Sequence, residues 1–127
     1  MPAKPPVSDA ELEVLKVLWA KEAATVRDVE AALRRNKRRL AYNTVLTLLT
    51  RLRDKGYVDA DRAGTAHVFR PMVSRDELLN DGLSALANRI GDGTASPLVH
   101  ALVRGQRLSA EDVAYLRKLL DDLEREG

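Results

Sequence analysis

At Gly56 the hydrophobic period of this chain changes, and no other feature constrains its fold as tightly. Before Gly56, apolar residues recur at helical spacing. Val45, Leu48, Leu49 and Leu52 form an i, i+3, i+4, i+7 set, which predicts a helix from near Ala41 to Lys55 stopped by Gly56. After it, Tyr57-Val58-Asp59-Ala60-Asp61-Arg62 and Ala66-His67-Val68-Phe69-Arg70 alternate with period two around Ala63-Gly64-Thr65, and Pro71 closes the run. Short alternation about a glycine-containing loop predicts a β-hairpin.

Other helix starts are equally well marked. Ser8-Asp9-Ala10-Glu11 is a capping box, placed before an apolar face of Leu12, Leu15, Val17, Leu18 and Trp19. Thr25-Val26-Arg27-Asp28 opens a second helix, with Val26, Val29, Ala32 and Leu33 on one side. Beyond the hairpin, Ser74-Arg75-Asp76-Glu77 opens a helix to about Ile90, and residues 91–95 form a loop. Ser96-Pro97 pairs an N-cap with proline at the first helical position of a short helix ending before Gly105. Ser109 to Asp112 opens a last helix to about Arg125. The Pro-rich start, Met1 to Pro6, reads as frayed and is no secretory signal.

The order is therefore three helices, a hairpin and three more helices. It predicts a mainly α fold with a small β-hairpin wing. A winged helix-turn-helix DNA-binding domain is expected over residues 1–72 and a three-helix dimerisation domain over residues 73–127. With 45% apolar and 31% charged residues, the composition is that of a soluble globular chain. No stretch approaches 18 consecutive apolar residues, so no membrane insertion is expected. The absence of cysteine excludes disulfides, thiolate metal sites and cysteine nucleophiles, and it fits a reducing cytoplasm.

Charge is divided unevenly. Residues 1–70 carry 14 Lys/Arg against 9 Asp/Glu, whereas residues 71–127 carry 7 against 10. Five of the first half's cations, Arg34, Arg35, Lys37, Arg38 and Arg39, occupy the end of the second helix and the turn leading to the third. Such a cluster suits contact with a sugar–phosphate backbone, which dominates affinity but carries no sequence information. On the third helix, Asn43, Thr44, Thr47, Thr50, Arg51 and Asp54 fall largely off the apolar seam. Short hydroxyl side chains allow a helix deep into a major groove, bonding base edges or phosphates while their methyls meet thymine. Asn43, near the helix start, suits a bidentate base contact, and Leu46, beside this face, suits a thymine methyl. Base reading is thus assigned to Asn43, Thr44, Leu46 and Thr47. Phosphate or wing contact is assigned to the five cations with Tyr42, Thr50, Arg51 and Arg62.

The acidic half carries helix-packing seams. Leu79, Leu83, Leu86 and Ile90 step by four, three and four; Val113, Leu116, Leu120 and Leu123 step by three, four and three. Leu98, Val99, Leu102 and Val103 add a patch between them. So small a unit buries this surface poorly alone, and mutual burial in a homodimer is expected, with Leu98 and Leu102 joining the two seams. Such a dimer would carry two reading heads to two half-sites.

Catalytic patterns are missing. His67 and His100, the two histidines, have no partner at i+3 or i+4, and His67 suits sheet packing or a hydrogen bond. No P-loop, nucleophile elbow or dinucleotide glycine run occurs, and Asp121, Asp122 and Glu124 form no acid/base pair on their helix. No enzyme activity, metal or cofactor is expected.

The chain resembles the penicillinase repressor family, the β-lactamase and methicillin-resistance repressors. The resemblance is carried by Ser8, Glu11, Val14-Leu15 and Leu18-Trp19; by Thr25 to Val29; and by Leu40-Ala41-Tyr42-Asn43-Thr44-Val45-Leu46-Thr47. Arg51-Leu52, Lys55 to Val58, Ala66 to Phe69, Pro71 and Leu108-Ser109 complete the ordered set. It implies a cytoplasmic winged-helix repressor, dimeric through its C-terminal helices and bound to a palindromic operator of antibiotic-resistance-type genes. By family position Asn43, Thr44, Leu46, Thr47 and Arg51 match recognition-helix contacts. The resemblance also implies relief by proteolysis in the C-terminal domain, through a membrane sensor-peptidase or a downstream protease.

Three positions depart from the family pattern. The cysteine cluster of the copper-responsive members is missing; Thr65 stands at a wing tip that is often Arg; and Ala101-Leu102 stands where some members carry an Asn-Phe cleavage bond. Two other function classes stay open at this stage: a repressor sensing a small ligand directly, and a protein-interaction winged helix without specific DNA binding.

Overall fold

A computed structural model describes residues 4–64 and 66–127; Met1 to Ala3 and the wing-tip Thr65 lie outside the described residues. The elements are α1 (Asp9–Lys21), α2 (Val26–Arg35), α3 (Tyr42–Lys55), β1 (Val58–Ala63), β2 (Ala66–Pro71), α4 (Arg75–Ile90), α5 (Ser96–Gly105) and α6 (Ala110–Glu126). Reciprocal hydroxyl–acid caps start four of them: Ser8 with Glu11, Thr25 with Asp28, Ser74 with Glu77 and Ser109 with Asp112. Each supplies acceptors to backbone N–H groups that a helix start leaves without partners. The Ser96-Pro97 pair behaves otherwise. Ala95 stands at the cap of α5, Ser96 is already helical, and no side chain caps this end.

The N-terminal core is three helices closed by the hairpin. Val14, Leu15 and Leu18 of α1, Val29 and Leu33 of α2, and Val45, Leu49 and Leu52 of α3 meet Val58 and Phe69 from the two strands. β1 and β2 pair antiparallel from Val58↔Pro71 to Ala63↔Ala66. Ala63, expected in the loop, pairs in the ladder instead, and Gly64 takes the positive φ (66°) that tight hairpin connections need. A further backbone bridge joins Ala24 to Phe69, at 3.0 and 2.8 Å, and fastens the α1–α2 loop to β2. Trp19 lies at the core edge rather than inside it, its Nε1 donating to the Val73 carbonyl at 2.9 Å.

One charged side chain is sealed into this core. Glu11 is 1% exposed, and its Oε1 accepts from Ser8 N at 2.8 Å and from Lys55 Nζ at 2.6 Å. Lys55 also donates to the Pro6 carbonyl, Tyr57 Oη donates to the Pro5 carbonyl, and Lys4 Nζ lies over the Tyr57 ring at 5.4 Å. The described part of the Pro-rich start is therefore tied down rather than frayed. Burial by itself raises the Glu11 pKa, but the Lys55 ammonium and the Ser8 N–H and hydroxyl outweigh it and hold the carboxyl below its ordinary value. Among the described residues, every buried side-chain nitrogen or oxygen has a hydrogen-bond partner.

The chain divides into two compact units, Met1–Leu78 and Leu79–Gly127. The division falls inside α4, beyond the expected boundary after residue 72, because Val73 and Leu78 pack on the N-terminal core. In the second unit Ala87 is buried, and the turn after α4 folds back on it, with Gly91 N and Gly93 N both donating to the Ala87 carbonyl at 2.9 Å. No described helix is long and apolar enough to cross a membrane.

Lys55→Met should lower unfolding free energy by about 3 kcal/mol in urea titrations at neutral pH, because it strands the Glu11 carboxylate. Since the folded Glu11 value lies below the unfolded one, its contribution is complete at neutral pH. It should be lost as pH falls below about 4.3 and through the lowered folded value. Glu11→Gln should flatten that acid limb of the stability–pH curve.

Candidate nucleic-acid interface

α3 is held by one face and open on the other. Val45, Leu49 and Leu52 are wholly buried and Leu48 nearly so, while Asn43, Thr44, Leu46, Thr47 and Arg51 are exposed and Thr50 is half-buried. The structure thus brings the four expected base-reading residues to one solvent-facing side of the helix. Tyr42 is exposed at its start, with the Arg27 guanidinium over its ring at 5.3 Å. That contact joins two helices and is not announced by any sequence spacing.

The two central threonines carry a constraint that sequence did not disclose. Thr47 Oγ1 donates to the Asn43 carbonyl at 2.9 Å, and Thr50 Oγ1 donates to the Leu46 carbonyl at 2.8 Å. Each hydroxyl hydrogen is therefore used inside the helix, and what remains for a partner is an accepting oxygen and a methyl group. The start of α3 has the opposite property. α1 and α2 each have a side-chain cap and acid in the first turn, whereas α3 begins at Ala41 with neither. Its positive dipole end is not neutralised by its own side chains.

The basic turn precedes this end. Arg34, Arg35, Lys37, Arg38 and Arg39 are all exposed. Arg34 and Arg35 lie in the last turn of α2, where the helix dipole favours cations. The helix then closes with Lys37 N donating to the Arg34 carbonyl and Arg38 N to the Leu33 carbonyl. This motif puts Lys37 in the left-handed region, with φ of 63°, where glycine or asparagine is the easier residue. Arg38 differs from its neighbours: its Nε is bonded to Glu13 Oε2 at 3.0 Å, which anchors the turn to α1.

On the wing, Arg62 is exposed on β1 across from His67 on β2. His67 is exposed as well. The expectation of sheet packing or a hydrogen bond is not met among the described residues, because His67, on the Phe69 side of β2, lies two residues nearer the hairpin tip and beyond the core that buries Phe69. Thr65 lies outside the described residues.

In the C-terminal unit, Leu79, Leu83, Leu86, Ile90, Leu102, Val113, Leu120 and Leu123 are exposed, and Leu98 and Leu116 are half-buried. Ala101 and Leu102 stand in the middle of α5, in helical conformation and exposed.

Residues 7–122 match the model of the penicillinase repressor family. The chain belongs to that family. It is 28% identical over 118 residues to the penicillinase repressor of Bacillus licheniformis, covering 93% of this chain and 91% of that one. It is 38% identical over 121 residues to the transcriptional regulator BlaI of Mycobacterium tuberculosis, covering 93% and 85%. In three dimensions it is similar to the Bacillus licheniformis BlaI monomer solved in complex with the blaP half-operator. The TM-score is 0.50 at 31% identity, over 61% of this chain and 93% of that one. Family membership and fold therefore agree with the expected winged helix.

Lys37→Gly separates two roles for the strained lysine. If the side chain is present for its charge, stability should hold or rise by up to about 1 kcal/mol in thermal melts. A loss larger than that would assign Lys37 to packing.

Proposed function

We propose that this chain is a transcriptional repressor that binds operator DNA by placing α3 in the major groove. The observation that carries the reading is the division of α3 into a buried seam and an exposed face of Asn43, Thr44, Leu46 and Thr47. A helix of this diameter fills the groove, so the residues opposite its seam are those that meet base edges. Asn43 supplies the bidentate amide, Thr47 and Leu46 supply methyl surface, and Thr44 lies nearer the backbone. Arg34, Arg35, Lys37, Arg39 and Arg51, with Tyr42, supply contacts to the phosphates, and Arg62 extends them from the wing; Thr50, its hydrogen committed to the Leu46 carbonyl, offers its methyl group alone. Arg38 takes part only by sharing its guanidinium with Glu13.

The active form in this reading is a homodimer assembled through the C-terminal unit, bound to a palindromic operator in the cytoplasm. Support comes from the exposed aliphatic side chains of α4, α5 and α6, a surface of the kind that mutual burial covers. The regulated genes are inferred from the names of the relatives to be of a β-lactam-resistance type. Relief by a membrane sensor-peptidase or a downstream protease at Ala101-Leu102 would require α5 to open first, because the bond lies within a helix.

Titrating the protein against duplexes of its own upstream region and of scrambled sequence, at several salt concentrations, tests the reading. Preference for the upstream duplex with a steep salt dependence is expected. Failure to bind any duplex would point instead to the protein-interaction class. Because the Thr47 hydrogen is already bonded within the helix, Thr47→Val should retain the base preference. Thr47→Ser, which lacks the methyl, should relax it by about 1 kcal/mol at one base pair. Leu120→Asp, at an exposed position, should leave the monomer folded and halve the mass seen by light scattering. A dimeric mass would refute the C-terminal assembly.

A further inference from the structure

α3 has a third surface, which faces the wing. A groove of about 450 Å³ runs between α3, β2 and the start of α2, and Arg27, Tyr42, Leu46, Thr50, Arg53 and His67 line it. On α3 the spacing Tyr42, Leu46, Thr50, Arg53 makes a stripe that borders the reading face, shares Leu46 with it and is distinct from the seam. Arg27 comes from the first turn of α2, Arg53 from the last turn of α3 and His67 from β2, so the groove collects cationic and hydrogen-bonding groups from three elements.

Both arginines are available to an anion. Arg27 is exposed and rests on the Tyr42 ring, which orients the guanidinium without neutralising it. Arg53 has a 3.7 Å contact with its neighbour Asp54, and both side chains are well exposed, so water screens the pair. The carboxylate closest in sequence to Arg27, Asp28, accepts the Thr25 N–H at 3.0 Å and is committed to the cap of α2.

A helix filling the major groove has a sugar–phosphate strand on each flank. The turn from Arg34 to Arg39 accounts for one basic approach to α3. We propose that Arg27 and Arg53 clamp the sugar–phosphate strand of the operator on the wing side of α3, with Tyr42 as the groove's apolar floor against the sugars. The inference rests on the DNA-binding reading above, and it adds two phosphate contacts that set affinity and register without selecting bases.

The test is the slope of log affinity against log salt for wild type, Arg27→Ala, Arg53→Ala, the double variant and the two Arg→Lys variants. The probes are the upstream-region duplex and its scrambled counterpart. Each alanine variant should make the slope shallower by about 1 and the double variant by about 2, while lysine preserves it. The ratio of affinities for the two duplexes should stay at the wild-type value, and thermal melts should be unchanged. Wild-type slopes in the alanine variants would overturn the clamp alone. So would weaker binding at unchanged slope, which signals lost packing instead of a lost phosphate contact. Absence of wild-type binding to either duplex would overturn the DNA-binding reading together with the clamp.

Discussion

The packing of Val45, Leu48, Leu49 and Leu52 into the three-helix core is the constraint from which the rest of this molecule follows. Those side chains fix the rotation of α3 about its own axis. A helix pinned on one face can offer only the remainder of its circumference, and here the remainder divides into two surfaces. Asn43 and Thr47 point away from the core, and Tyr42, Leu46 and Arg53 border the wing. A rotation of α3 by one residue would bury polar groups and expose leucine. The specificity of the surface therefore derives from the cost of misplacing the seam.

The buried Glu11–Lys55 pair fixes the other end of the same helix. It joins the N-terminus of α1 to the last residue of α3, and through Pro6 it gathers in the segment before α1. Each partner has further hydrogen bonds, so the carboxylate is compensated despite its removal from water. α3 is thus held along its length by hydrophobic contact and at its C-terminal end by an ion pair. Its N-terminal end is left uncapped, the end that the functional reading directs at DNA.

Much of this was legible in the residues because it is local. A hydroxyl followed three residues later by an acid marked the starts of α1, α2, α4 and α6, and the change of period at Gly56 separated α3 from the hairpin. Interactions between distant segments were not legible. Glu11 reads as a capping residue until Lys55, forty-four positions away, is seen on the same carboxylate. The tethered Pro5 and Pro6, the Ala24–Phe69 bridge and the pairing of Ala63 with Ala66 likewise depend on contacts between separate segments. In the candidate site, periodicity placed Asn43, Thr44 and Thr47 on one face. It could not indicate that the Thr47 and Thr50 hydroxyls bond back into the helix, or that the isolated cations Arg27 and Arg53 share a groove.

The central claim is that the exposed face of α3 enters a major groove, in two copies per operator. Methylation interference on the upstream-region duplex, combined with hydroxyl-radical footprinting, addresses it most directly. The account predicts interference from methylated guanine N7, which lies in the major groove, in two symmetric half-sites. Their centres should be one helical turn or a multiple apart, with backbone protection flanking each. Interference confined to adenine N3 in the minor groove, or backbone protection without any base signal, would contradict it.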